Sequence, residues 1–248
     1  MTALALLAIA ALSRTDTCGL KEVQADDLRD CTSLVLDNDR LSPDEVQILV
    51  DAMSSLDGLQ IIKLRSNGLT EAQGDSIMAA FAQHGHGLTS FIFRDNPLGE
   101  HGLASLSTAV SEHRLYGLDL RGVSLGDSGA EGLASSLLRT RSLAELDIEN
   151  CQIGARGMSA IARALQAPHS ALEILRISFN PMGDEGALAI ASAITSMDRN
   201  RVFKQLVVRD DSIGPSGKEA LRKAAKSGSV EIYDSRRERR RKSWRDEL

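Results

Sequence analysis

Apolar residues return along the chain in one frame, L-x-x-L-x-L-x-x-N-x-L, seven times over. The frame reads Cys31-Leu34-Leu36-Asp39-Leu41, Leu59-Ile62-Leu64-Asn67-Leu69, Leu88-Phe91-Phe93-Asn96-Leu98 and Leu115-Leu118-Leu120-Val123-Leu125. It continues through Leu143-Leu146-Ile148-Cys151-Ile153, Leu172-Leu175-Ile177-Asn180-Met182 and Phe203-Leu206-Val208-Asp211-Ile213, with starts 27–31 residues apart. Apolar residues at the fourth and sixth positions put two side chains on one face of a short strand. Apolar residues at helical spacing follow, such as Leu133, Leu137 and Leu138 behind the capping residues Asp127 and Ser128. Each unit therefore predicts a strand, a turn and a helix. No unit buries its apolar face alone, so neighbours must stack, with a parallel sheet on the inner wall and helices on the outer. Strands spaced about 4.8 Å apart against helices about 10 Å apart bend such a stack into a short horseshoe.

Asn at the ninth position has the donors and acceptor to satisfy backbone groups where the chain leaves the strand. Val123 occupies that position in the fourth repeat and lacks them, so this repeat is expected to be locally weaker.

The frame, its length and the Gly-x-x-Gly opening of the helices (Gly99/Gly102, Gly126/Gly129, Gly154/Gly157, Gly183/Gly186, Gly214/Gly217) resemble leucine-rich repeats of the ribonuclease-inhibitor type. Two units depart from the pattern: Ser42-Pro43-Asp44-Glu45 has no glycine, and the stretch from Glu71 to Gly74 is displaced. The fold class is accordingly an α/β leucine-rich-repeat solenoid. Residues 1–30 are expected to form an N-terminal capping half-repeat, 31–233 the repeat domain and 234–248 a basic tail. The resemblance implies a non-enzymatic protein-interaction scaffold, a subunit of a larger eukaryotic assembly such as the cytoskeleton of cilia and flagella. Activators of the GTPase Ran also resemble this architecture, but that family has a strongly acidic C-terminal region and this chain ends basic.

In the horseshoe the third, fifth, seventh and eighth positions face the concavity and form columns across the strands. The seventh column reads Asp37, Arg65, Arg94, Arg121, Glu149, Ser178, Arg209, and the fifth reads Val35, Lys63, Ile92, Asp119, Asp147, Arg176, Val207. Three consecutive arginines on adjacent strands place like charges side by side. Relief comes from a partner, from Asp119 and Asp147 one column over, or from water and salt. The expected docking face joins a basic patch (Lys63, Arg65, Arg94, Arg121) to an acidic one (Glu145, Asp147, Glu149), with Arg176 and Arg209 beyond. Its apolar anchors are Ile61, Ile92, Ile174 and Phe179. The alternative is a solvated charged face that only keeps the sheet soluble.

Composition adds little against this picture: 42% apolar and 25% charged residues with a net charge of −5 suit a soluble repeat protein, and 3% aromatics suit many small layers. Residues 234–248 carry seven basic and four acidic side chains, a local charge of +3, which leaves −8 on the body (−5 − 3). Arg236, Arg237, Arg239, Arg240, Arg241, Lys242 and Trp244 make this either a solvated end or an arm for an acidic protein or nucleic acid.

No catalytic group, cofactor or metal site is expected. The five histidines fall at helix ends and loops, and His84 with His86 lacks a third ligand. The glycine pairs recur once per repeat, as structural turns do and a phosphate loop does not. Cys18, Cys31 and Cys151 have no metal-binding spacing, and their odd number suggests a reducing compartment. Cys31 and Cys151 fall at interior positions, while Cys18 has no evident role. The apolar run from Met1 to Leu12 could be the core of a secretory signal, but it contains no Lys or Arg and is followed by no A-x-A cleavage site, and it fits the outer helix of the cap. The expected placement is cytoplasmic, without a membrane. The ending Arg245-Asp246-Glu247-Leu248 leaves the lumen of the endoplasmic reticulum as the alternative.

Overall fold

The computed structural model describes residues 17–19, 31–54, 58–197, 202–209, 212–226 and 231–233. The seven predicted strands are present: β2 (Ser33–Asp37), β3 (Ile61–Arg65), β4 (Ser90–Arg94), β5 (Gly117–Asp119), β6 (Glu145–Asp147), β7 (Ile174–Arg176) and β8 (Gln205–Val207). Two short strands that the repeat frame does not mark, β1 (Thr17–Cys18) and β9 (Glu231–Tyr233), extend the sheet at its edges. All nine lie in chain order, each parallel to the next, and equivalent repeat positions pair in register, as with Arg65 and Arg94.

Among the described residues seven α-helices alternate with the strands: α1 (Pro43–Met53), α2 (Glu71–His84), α3 (Glu100–Glu112), α4 (Gly126–Leu137), α5 (Ala155–Leu165), α6 (Gly183–Ser196) and α7 (Pro215–Lys226). They pack on the sheet face that carries the fourth and sixth positions, and Leu36, Leu64, Phe93, Leu120, Ile148, Ile177 and Val208 line one continuous core. Phe81 of the second repeat and Phe91 and Phe93 of the third thicken that core where the two repeats meet, with Phe81 and Phe91 stacked at 4.1 Å between ring centres. The expected cap helix within residues 1–12 lies outside the described residues.

The ninth-position ladder works as the chemistry requires. Asn67 donates to Leu36 O, and its amide oxygen accepts from Asp39 N. Asn96 donates to Leu64 O and Arg94 O and accepts from Asn67 N. Asn180 donates to Ile148 O and Ile177 O and accepts from Cys151 N and Ile153 N. Cys151 keeps half of this function, its thiol donating to Leu120 O at 3.1 Å, and burial pushes its pKa up to about 12. Val123 is fully buried with no polar side-chain atom, so the ladder breaks between the third and fourth repeats.

Helix starts fall into three kinds. Where the glycine pair is absent or displaced, α1 and α2 carry capping boxes, Ser42 with Glu45 and Thr70 with Gln73. Helices α3, α5 and α7 are capped from the preceding helix: Asp75 accepts from Gly99 N, Asp127 from Gly154 N and Gly157 N, and Asp184 from Gly217 N, at 2.8–3.0 Å. A Cβ at Gly102, Gly157 or Gly217 would lie 2.3–2.8 Å from that carboxylate, so the second glycine is room for a neighbour's acid. Helices α4 and α6 instead begin on Gly126 and Gly183 at φ +58°, a backbone state that glycine adopts without strain. The uniform Gly-x-x-Gly opening expected from the sequence is thus two devices used in alternation.

Candidate functional site

The strands set the concave face, and each repeat ends its strand the same way. The eighth position takes positive φ in six repeats: Asn38, Ser66, Asp95, Gly122, Asn150 and Phe179, at +51° to +75°. Asn, Asp, Ser and Gly suit this turn, whereas a bulky residue is held there at a cost of roughly 1–2 kcal/mol. Phe179 is that residue. The residue is 44% exposed, and the Arg209 guanidinium, on the next repeat, lies 5.3 Å from the centre of its ring. Such a contact contributes about 0.5–1 kcal/mol at an exposed site.

The three consecutive arginines do not leave a bare basic stripe. Arg65 pairs with Asp37 at 2.8 Å, Arg94 with Asp119, and Arg121 with Glu149 and Asp147. Arg176 lies 3.7 Å from Glu145. Each arginine reaches a carboxylate of a neighbouring repeat, which relieves like-charge contact: Arg94 and Arg121 meet Asp119 and Asp147 one column over, as anticipated, while Asp37 and Glu149 in the arginines' own column serve Arg65 and Arg121. The basic and acidic patches are therefore knitted together rather than standing apart. Glu145, Asp147, Glu149 and Arg176 each hold a further interaction besides these.

Lys63 differs. It is 5% exposed, has no ion pair among the described residues, and its neighbours are Arg65 and Arg94. Burial, aided by those two cations and opposed by Asp37, lowers its pKa from the usual lysine range.

Two of the four expected apolar anchors are not exposed. Ile61 and Ile92 are buried, Ile174 is half-buried, and Phe179 alone is open. Ile61, Ile92 and Val207 are buried without belonging to the contiguous core, because they sit on the sheet face away from the helices. The residues from Arg236 to Trp244 lie outside the described residues.

The reading of the cysteines is corrected. Cys31 is not a free interior thiol: it forms a disulfide with Cys18, which gives Cys18 its role and ties β1 to the first repeat. An odd count concealed one pair plus the buried Cys151. This pairing removes the basis for reading a reducing compartment from the cysteines. His113 stands at the end of α3, as expected, but is buried, with Nε2 at 2.8 Å from Phe81 O and 3.0 Å from Ala82 O and its ring against His86. The carbonyl acceptors fix the hydrogen on Nε2 and leave Nδ1 bare, and burial, with His86 nearby, lowers the pKa. Among the described residues no three His, Cys, Asp or Glu side chains are grouped to hold a metal, and no helix is long and apolar enough to cross a membrane.

Comparison with known proteins gives the repeat its family. The "Leucine Rich repeat" model matches residues 141–162 and 170–191. Pig ribonuclease inhibitor is 35% identical over 122 residues, 47% of this chain and 26% of that protein. The Ran GTPase-activating protein of Drosophila melanogaster is 29% identical over 201 residues, 73% of this chain and 33% of that protein. The chain spans 15–33% of the length of curated relatives such as these. Among solved structures, the actin-binding site 2 of leiomodin-1 superposes with a TM-score of 0.52 at 15% identity, over 69% of this chain and 95% of that one, a likeness of fold. Sequence period, stacked architecture and relatives together support a leucine-rich-repeat protein of the ribonuclease-inhibitor type.

Proposed function

We propose that the chain is a non-enzymatic scaffold that binds a protein partner across its concave face, as a subunit of a larger assembly. The observation that carries this reading is Phe179, a large aromatic held exposed at a backbone position that suits small polar residues, with Arg209 stacked on it. An exposed aromatic–arginine pair beside a charged sheet has the composition of an interface centre. Of the residues singled out in the sequence, Arg65, Arg121, Phe179 and Arg209 keep open surface for contact. Lys63, Ile92, Asp119, Glu145, Asp147, Glu149 and Arg176 are buried, and Arg94 is nearly so, which suits them to shaping the face. The fold shared with an actin-binding site favours a cytoskeletal partner as the first class to try. Affinity purification of the full chain, followed by mass spectrometry, tests the reading. The double variant Phe179→Ala, Arg65→Glu is expected to lose the specific partner set while keeping its circular dichroism, and an unchanged partner set sinks the proposal.

The likeness to a Ran GTPase-activating protein over 73% of this chain favours a second reading, regulation of a small GTPase. Single-turnover GTP hydrolysis by Ran with and without the chain tests it, and an unaltered rate removes it. The Cys18–Cys31 disulfide favours an oxidising compartment over the cytoplasm, and so counts against both of these partner classes. Thiol trapping of Cys18 in intact cells separates the two compartments.

A further inference from the structure

The arginines of β4, β7 and the fourth-repeat turn pair with carboxylates, but four others do not. Arg114, Arg139, Arg141 and Arg163 are exposed and have no ion pair among the described residues. They share one edge of the solenoid, where a helix gives way to the loop that leads into the next strand. Arg114 follows α3, Arg139 and Arg141 follow α4, and Arg163 stands in the last turn of α5. Contacts between successive repeats make this edge continuous: Arg139 Nη2 donates to Ser111 Oγ at 3.2 Å, and His169 Nε2 lies 2.5 Å from Leu138 O. Leu138 stands within the row and is 46% exposed. The acids of these helix ends and loops are Glu112, which is exposed, and Glu173, which Lys204 holds. A chain of net charge −5 thus carries a basic ridge.

Cations near helix C-termini complement the helix dipole, which gives Arg163 a structural reason to be there. Arg114 and Arg141 lie beyond their helices, and carbonyls at these ends already meet histidines: His113 Nε2 on Phe81 O and Ala82 O, and His169 Nε2 on Leu138 O. The side chains of Arg114, Arg141 and Arg163 make no hydrogen bond among the described residues. A guanidinium binds a carboxylate through two parallel N–H groups, so each repeat of the row has a seat for one acid. Spacing sets the form of the ligand. Successive repeats lie about 4.8 Å apart at the strands and about 10 Å apart at the helices, and extended chain at about 3.3 Å per residue matches this with an acid at every second or third position. We propose that this edge is a docking surface for an extended acidic segment of a protein partner, with an apolar residue of the segment against Leu138. Nucleic-acid phosphates also suit arginine, but single-strand grooves add aromatic platforms for the bases, and the exposed apolar group within this row is aliphatic. The edge lies apart from the concave face, so it neither needs the proposed function nor falls with it.

The full chain is titrated into a fluorescein-labelled peptide of about ten residues, glutamates with one central leucine, and binding is read by anisotropy at low salt. The triple variant Arg114→Glu, Arg141→Glu, Arg163→Glu is expected to bind about tenfold more weakly with unchanged circular dichroism, and the difference shrinks at 1 M salt, where charges are screened within about 3 Å. Glutamine at the same three positions is expected to weaken binding about threefold, a check that needs no charge reversal. Reversal of Arg236, Arg237 and Arg239 makes the same change of net charge elsewhere in the sequence, and is expected to leave binding within about twofold. Equal loss in the two reversals, or no loss in the first, overturns the proposal. A single-stranded RNA of similar length that binds more tightly than the peptide, through the same arginines, gives the edge to nucleic acid and also overturns it. So does self-association of the unliganded chain that the first variant abolishes, which would name the acidic helix starts of a second copy (Glu100, Asp127, Asp184) as the occupant.

Discussion

Arg65 and Arg94 occupy the same repeat position on adjacent strands and each meets one aspartate, but their surroundings differ. The Arg65–Asp37 pair is about a third open to water (33% and 28% of the side chains exposed), whereas Arg94–Asp119 is nearly sealed at 11% and 3%. Arg94 contacts one carboxylate oxygen through two of its nitrogens, and Asp119 also accepts from Arg121 N. In the open pair, water replaces whatever is lost, while in the sealed pair nothing does. One sequence letter in one column is therefore a tunable surface group in one repeat and a structural element in the next.

The largest expected effect breaks the sealed pair. Arg94→Ala leaves Asp119 charged and dry, and is expected to cost about 3–5 kcal/mol in guanidinium denaturation. A loss below about 1 kcal/mol would mean that water reaches Asp119 and that the two pairs are alike.

His113 sharpens the contrast by pH, being another sealed polar group. Unfolded, it takes a proton near its ordinary value of 6.5; folded, it resists because Nδ1 is buried without an acceptor. The unfolded chain thus binds more protons between the two pKa values. Stability is full above pH 6.5 and falls as the pH drops from there toward the folded pKa. Denaturation midpoints at about pH 7.5 and about pH 5 should differ, and His113→Gln should shrink that difference. Equal pH dependence in the two proteins would remove His113 from the account. The smallest effect belongs to the open pair, where Arg65→Ala is expected to change stability by less than about 1 kcal/mol.

The stack, its register and the ninth-position ladder were legible in the sequence because they repeat, and a period averages out local irregularity. Val123 and Cys151 were readable as exceptions for the same reason. What was not legible depends on neighbours one repeat away. Ile61 and Ile92 look like exposed anchors from their position in the frame, and only their surroundings bury them. The partners of Arg94 and Arg121 were nameable as alternatives, yet the choice among aspartate, water and a ligand needed coordinates. The Cys18–Cys31 disulfide joins a position outside the frame to one inside it, so no periodic argument reaches it.

The acids that cap α3, α5 and α7 come from α2, α4 and α6, so donor and recipient helices alternate along the chain. Duplicating or deleting one unit would set two recipients or two donors side by side and strand a helix end. Growth or loss of length is then tolerated in steps of two units, which makes a tandem of some 57 residues the module by which this solenoid can be lengthened without penalty (184 − 127, the spacing of Asp127 and Asp184).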